Sequence, residues 1–369
     1  MRARIERACT FRPPERPLQS RTAYAAAHVV AKPDSNAAAI DWDATLAYRR
    51  HLWSYGLGIA EAMDTSQRGM GLDWESAREL IARSVREAQA CAGLIACGAG
   101  TDQLSEDGSH SLDQIFDAYQ QQCEWVERHG GRVILMASRA LARTAKSPDD
   151  YLAVYSRVLS QLERPAILHW LGDMFDPKLA GYWGARDPGQ ALEICLCLIR
   201  DHAAQLDGIK ISLLDAQREI DMRRKLPNNV RMYTGDDFHY DTLIRGDCHG
   251  YSHALLGILD AIAPAASAAI QALDENRPDD FDRILGPTLP LSRHIFEEPT
   301  YFYKTGLTFL AYLNGYQDHF CMLGGYETAR SIAHLSRILV FAEQAGLLVN
   351  PDLACARMRP LLEAEGIAQ

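Results

Sequence analysis

The stretch Leu206-Asp207-Gly208-Ile209-Lys210-Ile211-Ser212-Leu213-Leu214 reads as a β-strand with one anomalous residue. The two-residue period of a strand places Ile209, Ile211 and Leu213 on one face and Gly208, Lys210 and Ser212 on the other. If the aliphatic face packs against helices, the lysine points into an interior built by strands. A charged ammonium is costly there without a partner, and its pKa falls. A neutral amine attacks carbonyl carbons. The structural alternative is a lysine paired with an inward acid such as Glu61, Asp64 or Asp236.

On both sides of this strand, short apolar runs alternate with longer amphipathic ones, the pattern of repeated βα units. Eight strands are expected: 24–31, 56–63, 93–97, 131–137, 165–171, 208–213, 230–234 and 247–252. Helices are expected between them at 43–54, 73–90, 112–129, 148–162, 188–202, 215–225 and 240–244, with Asp73 and Asp149 as N-terminal caps or first-turn acids. Eight such units predict an α/β fold, a (β/α)8 TIM barrel, over an open doubly wound sheet. After the eighth strand, 254–273 reads as a long apolar helix with a kink at Pro264, and 281–362 carries helical periodicity without strands. The expected organisation is an N-terminal arm (1–23), a barrel (24–273) and a helical C-terminal extension (274–369).

A net charge of −10, with basic residues scattered except at the N-terminus, argues against nucleic acid and for a small-molecule partner. The nine cysteines form no CxxC pair and no disulfide framework, so they read as reduced thiols of a cytoplasmic protein. Neither a secretory signal nor a membrane span is visible.

Barrel enzymes place their chemistry where strands end. The second strand runs into Asp64-Thr65-Ser66-Gln67-Arg68-Gly69-Met70-Gly71, a loop whose hydroxyls, amide and guanidinium suit a carboxylate or phosphate, or which is a solvated turn. Gly98-Ala-Gly-Thr-Asp102 lacks full dinucleotide-fingerprint spacing. The fourth strand ends at Ser138-Arg139. The fifth ends at His169-Trp170-Leu171-Gly172, with His169 either a core residue or an acid/base group next to the lysine strand. Thr234-Gly235-Asp236-Asp237, His239, and Asp247-Cys-His-Gly-Tyr-Ser-His253 supply a dense set of carboxylates and imidazoles. These suit a metal or a hydrogen-bond network, although their spacing matches no ligand motif.

The order of these elements resembles the dihydrodipicolinate synthase and N-acetylneuraminate lyase family of pyruvate-type class I aldolases. Gly208-Ile209-Lys210 looks like the family's Gly-Ile/Val-Lys strand, which supplies the Schiff-base lysine. Thr234-Gly235-Asp236-Asp237 resembles its Ser/Leu-Gly-Asp-Asp motif on the next strand. The family's Gly-Thr-Thr-Gly-Glu loop, which receives the substrate carboxylate and assists proton relay, would fall on residues 64–69, where Thr65 and Ser66 keep the two hydroxyls. The segment 95–100 resembles the family's third strand and turn. Two relay tyrosines are missing: Tyr-Asn-x-Pro on strand five becomes His169-Trp170-Leu171-Gly172, and Pro-Tyr-Tyr on strand four becomes Ser138-Arg139-Ala140. Those departures imply a divergent branch with a different, polyhydroxylated substrate.

The resemblance therefore implies a lyase in which Lys210 forms an iminium with a keto acid or keto sugar, for C–C cleavage or condensation. His169 is the acid/base. Thr65 and Ser66 orient the carbonyl oxygen or carboxylate, with Asp64, Gln67, Arg68 and Arg139 around the substrate anion. Asp236, Asp237 and His253 bind hydroxyls. No cofactor or metal is expected, and a homo-oligomer is, with Phe309–Leu313 and Ile338–Phe341 either forming its interface or covering the barrel. The alternatives are a dehydratase using the same iminium, a metal-dependent sugar isomerase or hydrolase using the 236–253 cluster, and a catalytically inert sugar-binding barrel.

Overall fold

In the computed structural model, residues 8–33 and 39–366 are described. Eight parallel strands close in sequence order into a barrel: β1 (Ala23–Ala26), β2 (Gly58–Glu61), β3 (Ile95–Ala99), β4 (Arg132–Leu135), β5 (Ala166–Leu171), β6 (Leu206–Ser212), β7 (Arg231–Thr234) and β8 (His253–Leu256). Between them run α1 (Trp42–Ser54), α2 (Trp74–Cys91), α3 (Leu112–His129), α4 (Arg139–Thr144), α5 (Pro148–Leu159), α6 (Pro188–Asp201), α7 (Ala216–Arg223) and α8 (Tyr240–Arg245). The fold is the (β/α)8 barrel that the alternation predicts, followed by helices.

Local chemistry sets the helix starts. Asp41, Asp73, Asp187 and Asp215 each accept a backbone N–H of the first turn, and Ser111 with Gln114 forms a capping box. Asp149 lies in the first turn of α5, behind Pro148. The short helix α4 was not expected; Ser138 Oγ caps it by accepting from Leu141 N–H at 3.0 Å.

Strand alternation divides the core in two. Ile59, Cys97, Val133, Leu168, Ile209, Ile211 and Leu256 belong to the layer under the helices. Tyr24, Ala26, Ala60, Ala96, Ile134, Ile167, Tyr233 and Leu255 fill the barrel interior. Gly208 lies on the interior face because a Cβ there would stand 2.6 Å from the Tyr233 ring.

The eighth strand is displaced from its expected position. Asp247–Gly250 is a tight turn: Asp247 N–H donates to Gly250 O at 2.8 Å, and His249 N–H to Asp247 Oδ1 at 2.8 Å. The strand begins only at His253, and the apolar run expected as one helix from 254 divides into β8 and α9 (Leu259–Asp274), which contains Pro264.

The C-terminal helices are α10 (Pro278–Leu285), α11 (Leu289–Ile295), α12 (Tyr303–Leu313), α13 (Ile332–Gln344) and α14 (Pro351–Ala364). Phe309, Leu310, Leu313 and Ile338 are buried within the single chain. Of the N-terminal arm, residues 1–7 lie outside the described residues. The remainder is draped: Cys9 N–H donates to Leu348 O, and Gln19 and Ser20 N–H groups donate to Asp274. Among the described residues, no helix is long and apolar enough to cross a membrane.

Candidate active site

Lys210 and His169 sit side by side inside the barrel, paired in register on β6 and β5. Lys210 is 7% exposed, and its β7 neighbour in register is Tyr233. Among the described residues, no carboxylate oxygen lies within 4.0 Å of its amine. Burial pulls the Lys210 pKa below the ordinary lysine value, opposed by the charges of Asp64 and Asp237. Of the inward acids considered as partners, Glu61 is held by Arg49 in a fully buried bidentate pair, both contacts at 2.9 Å. Asp236 is a turn carboxylate, accepting from the N–H groups of Phe238 (2.8 Å) and His239 (3.1 Å) and facing His239 Nδ1. Gly235 is a steric requirement, since a Cβ there would meet Ser212 Oγ at 2.3 Å and Lys210 Cε at 2.8 Å.

His169 is fully buried. Its Nε2 lies 3.4 Å from Ser212 Oγ, and its Nδ1 has no partner. Burial, then the Lys210 charge, drives its pKa well below the ordinary imidazole value, so the ring is neutral at neutral pH. Asp237 is buried on the β7 side, with Oδ1 accepting from Ile258 N–H at 2.9 Å. Burial pushes its pKa up to about 7, against the pull of that bond and of Lys210.

The loop after β2 begins with a 3-10 turn, Asp64–Ser66. Its hydroxyls divide in role. Thr65 Oγ1 is 2.8 Å from the phenol of Tyr303 on α12, while Ser66 Oγ donates to Ala27 O at 2.7 Å and so fastens the loop to the chain after β1. Gln67, at φ +67°, straps the loop to the C-terminal segment, donating to Leu323 O at 2.8 Å and accepting from Leu323 N–H at 3.1 Å. The five N–H groups of Arg68 go to Asp102, Gln122, Ala62 O and Gly98 O. The Ser66, Gln67 and Arg68 side chains thus make these hydrogen bonds inside the protein, and Arg68 also lies on the wall of the cavity at the C-terminal ends of the strands.

A cavity of about 490 Å³ opens at the C-terminal ends of the strands, with Asp64, Glu106, Arg139, His169, Asp176 and Lys178 on its wall. Lys210 is not on that wall; it is the strand neighbour of His169, which is. Arg139 Nε donates to Asp176 at 2.5 Å, and its NH1 pairs with Glu106, which also accepts from Lys178 at 2.7 Å. His253 is elsewhere. As the first residue of β8 it lies at the opposite end of the barrel, where its Nδ1 accepts from Thr22 N–H at 2.9 Å. The hydroxyl-binding role for His253 is therefore corrected, and with His249 in the exposed 247–250 turn the 236–253 carboxylates and imidazoles do not converge on a metal position.

Two residues of this site were not anticipated. Tyr303 is buried against Phe296 and Phe175, and burial, then the Asp64 charge, raises its phenol pKa. Lys304 is also buried, donating to Tyr301 O at 3.0 Å. Burial lowers its pKa to about 8, against Asp64 and Asp176. Both contact the β2 loop across more than 230 residues of chain, so no local pattern announces them.

The family described as "Protein of unknown function (DUF993)" matches residues 1–367. The chain belongs to the DUF993 family. Among curated proteins none matches this DUF993 chain. Solved structures do. A putative dihydrodipicolinate synthetase from Pseudomonas aeruginosa is 14% identical, with 88% of this chain and 99% of that one covered at a TM-score of 0.68. The 4-hydroxy-tetrahydrodipicolinate synthase of Methylacidiphilum fumariolicum SolV is 15% identical (92% and 99% covered, TM-score 0.68). A prophage protein of the dihydrodipicolinic acid synthase family from E. coli, in complex with pyruvate, is 12% identical (89% and 99%, 0.69). At these identities the likeness establishes that the DUF993 chain has the dihydrodipicolinate synthase fold.

Proposed function

We propose that this protein is a Schiff-base lyase acting on a keto acid or keto sugar through Lys210. The observation that carries the reading is an interior lysine with no ion pair among the described residues, beside a neutral imidazole that lines a cavity on the C-terminal face of the barrel. The neighbouring fold whose structure holds pyruvate, a keto acid, supports the substrate class.

The neutral amine of Lys210 adds to the substrate carbonyl, and loss of water leaves an iminium. The iminium draws electrons from the adjacent carbon–carbon bond as a base takes the proton of the substrate hydroxyl. Cleavage releases an aldehyde fragment and leaves an enamine, which is protonated and hydrolysed to regenerate the lysine. His169, neutral and with an unpartnered Nδ1, suits the base. The Thr65–Tyr303 hydroxyl pair is a second proton path, supplied by α12 where the expected strand tyrosines are missing. Arg139 and Lys178, already paired with Glu106 and Asp176, supply cations at the entrance for an anionic substrate.

Incubation with pyruvate or larger 2-keto acids and sodium borohydride, followed by intact-mass measurement, should show one reduced adduct per chain. Failure of every keto acid and keto sugar to leave an adduct would refute the iminium. Two carbon fragments in the product mixture identify aldol cleavage, and a single dehydrated product identifies dehydration.

A further inference from the structure

Outside the barrel cavity, two imidazoles and a carboxylate converge between α11 and α13. His294 lies in the last turn of α11, Glu297 just beyond it, and His334 in the first turn of α13, where Ser331 is the cap. His294 Nδ1 is 3.2 Å from Glu297 Oε2, and His334 Nδ1 is 2.9 Å from Glu297 Oε1. One donor atom from each residue can be chosen so that all lie within 4.8 Å of one another. The rings are stacked, with centroids 4.0 Å apart and planes at 26°.

The proton positions make this cluster unusual. His294 Nε2 is 2.9 Å from the His334 carbonyl oxygen, which can only accept, so that nitrogen carries the hydrogen. In the neutral ring, Nδ1 is then a bare lone pair facing a carboxylate oxygen. Two acceptors at that distance repel unless a cation stands with them. A proton on His294 Nδ1 is one such cation, but it serves that single contact and leaves His334 outside it. One divalent ion serves all three groups.

We infer that His294, Glu297 and His334 form a binding site for a divalent transition-metal ion of the zinc type. Imidazole and carboxylate are the donors such an ion prefers. Zinc bonds of about 2.0–2.2 Å set neighbouring tetrahedral donors about 3.3–3.5 Å apart, close to the separations already present. The His334 carbonyl on the far nitrogen of His294 is the outer partner that fixes a metal-binding imidazole in its tautomer. Both rings are buried while the Glu297 side chain is 45% exposed, so the ion faces water and has an entry path.

The site lies behind the active-site wall. On α11, Ser292 Oγ donates to Asp237 O at 2.5 Å, and the adjoining Phe296 stacks on Tyr303 with centroids 4.4 Å apart. Bound metal would pin α11 to α13 and so brace both contacts.

The test is cobalt titration of the full-length protein after dialysis against a chelator. The expected result is one Co²⁺ per chain with visible d–d absorption, displaced by Zn²⁺, and without the near-ultraviolet thiolate band that the nine cysteines would give. Both His334→Ala and Glu297→Gln should weaken binding at least about tenfold. Because Glu297 is half-exposed, Glu297→Gln reports even if the histidine variant does not fold. Absence of the band in the wild type, a thiolate band in its place, or undiminished binding in Glu297→Gln would each overturn the assignment.

Discussion

The two ends of the barrel are built from the same strands and treat their polar groups in opposite ways. At the N-terminal end, Asp207 at the start of β6 is held by Arg132 (2.8 Å), Arg231 (3.0 Å) and the Tyr233 phenol (2.6 Å), and His253 accepts from a backbone N–H. Three residues further along β6, Lys210 has no ion pair among the described residues, and the His169 beside it leaves Nδ1 unpartnered there. A group whose bonding capacity is used up reads as structure, whereas a buried one left incomplete beside a cavity is a candidate for chemistry.

The contrast breaks most sharply under paired substitution. Lys210→Ala should abolish adduct formation and lower kcat/KM by at least about 10³-fold while the fold is retained. Asp207→Asn should leave kcat/KM within a few fold and cost about 1–3 kcal/mol of stability in denaturant titration, discounted for the partial exposure of its arginines. Equal loss of activity in both would erase the distinction between the two ends. His169→Gln should lower kcat by about 10²–10⁴-fold and still permit borohydride trapping. Loss of trapping would make the imidazole a positioning group for the lysine.

Glu219 sharpens the rule because it is incomplete but lies off the cavity. Burial pushes its pKa up to about 8; Ser252 donates to one oxygen at 2.6 Å, and the other has no partner. Its folded value exceeds the ordinary 4.5, so the folded chain holds the extra proton. The stability this contributes is fully present below about 4.5 and is lost as pH rises through about 8. Glu219→Gln should remove that decline, a difference on the order of a few kcal/mol at alkaline pH, without changing kcat. A pH–stability curve identical to wild type would contradict it.

Tyr303→Phe deletes one hydroxyl and should cost roughly tenfold in kcat with trapping intact. The smallest effect is a displacement. The Asp237 carboxylate holds the Lys210 pKa up, so Asp237→Asn should shift the acid limb of the kcat/KM profile to lower pH. A limb that moves to higher pH would mean another group governs it.

The barrel was legible because strand and helix periods are local, and the alternation through 206–214 alone put Lys210 and Ser212 inside. The eighth strand shows what a boundary does. Expecting it at 247–252 set His253 beyond a strand end on the active face; beginning it at His253 puts that residue on the floor. Thr65 and Ser66 look equivalent in sequence, and only the positions of Tyr303 and Ala27 separate a hydroxyl paired with a phenol from one that fastens the loop. Arg68 reads in sequence as an anion-binding guanidinium, and its partners Asp102 and Gln122 are not visible there because they come from β3's loop and α3.

The central claim is that the reactive amine belongs to β6, and a second buried lysine, Lys304, provides the control within the same chain. After borohydride reduction with a turned-over keto substrate, proteolysis and peptide mass mapping should place the added mass on the peptide containing Lys210, with Lys304 unmodified. Adduct on Lys304, or turnover with both lysines unlabelled, would contradict the account.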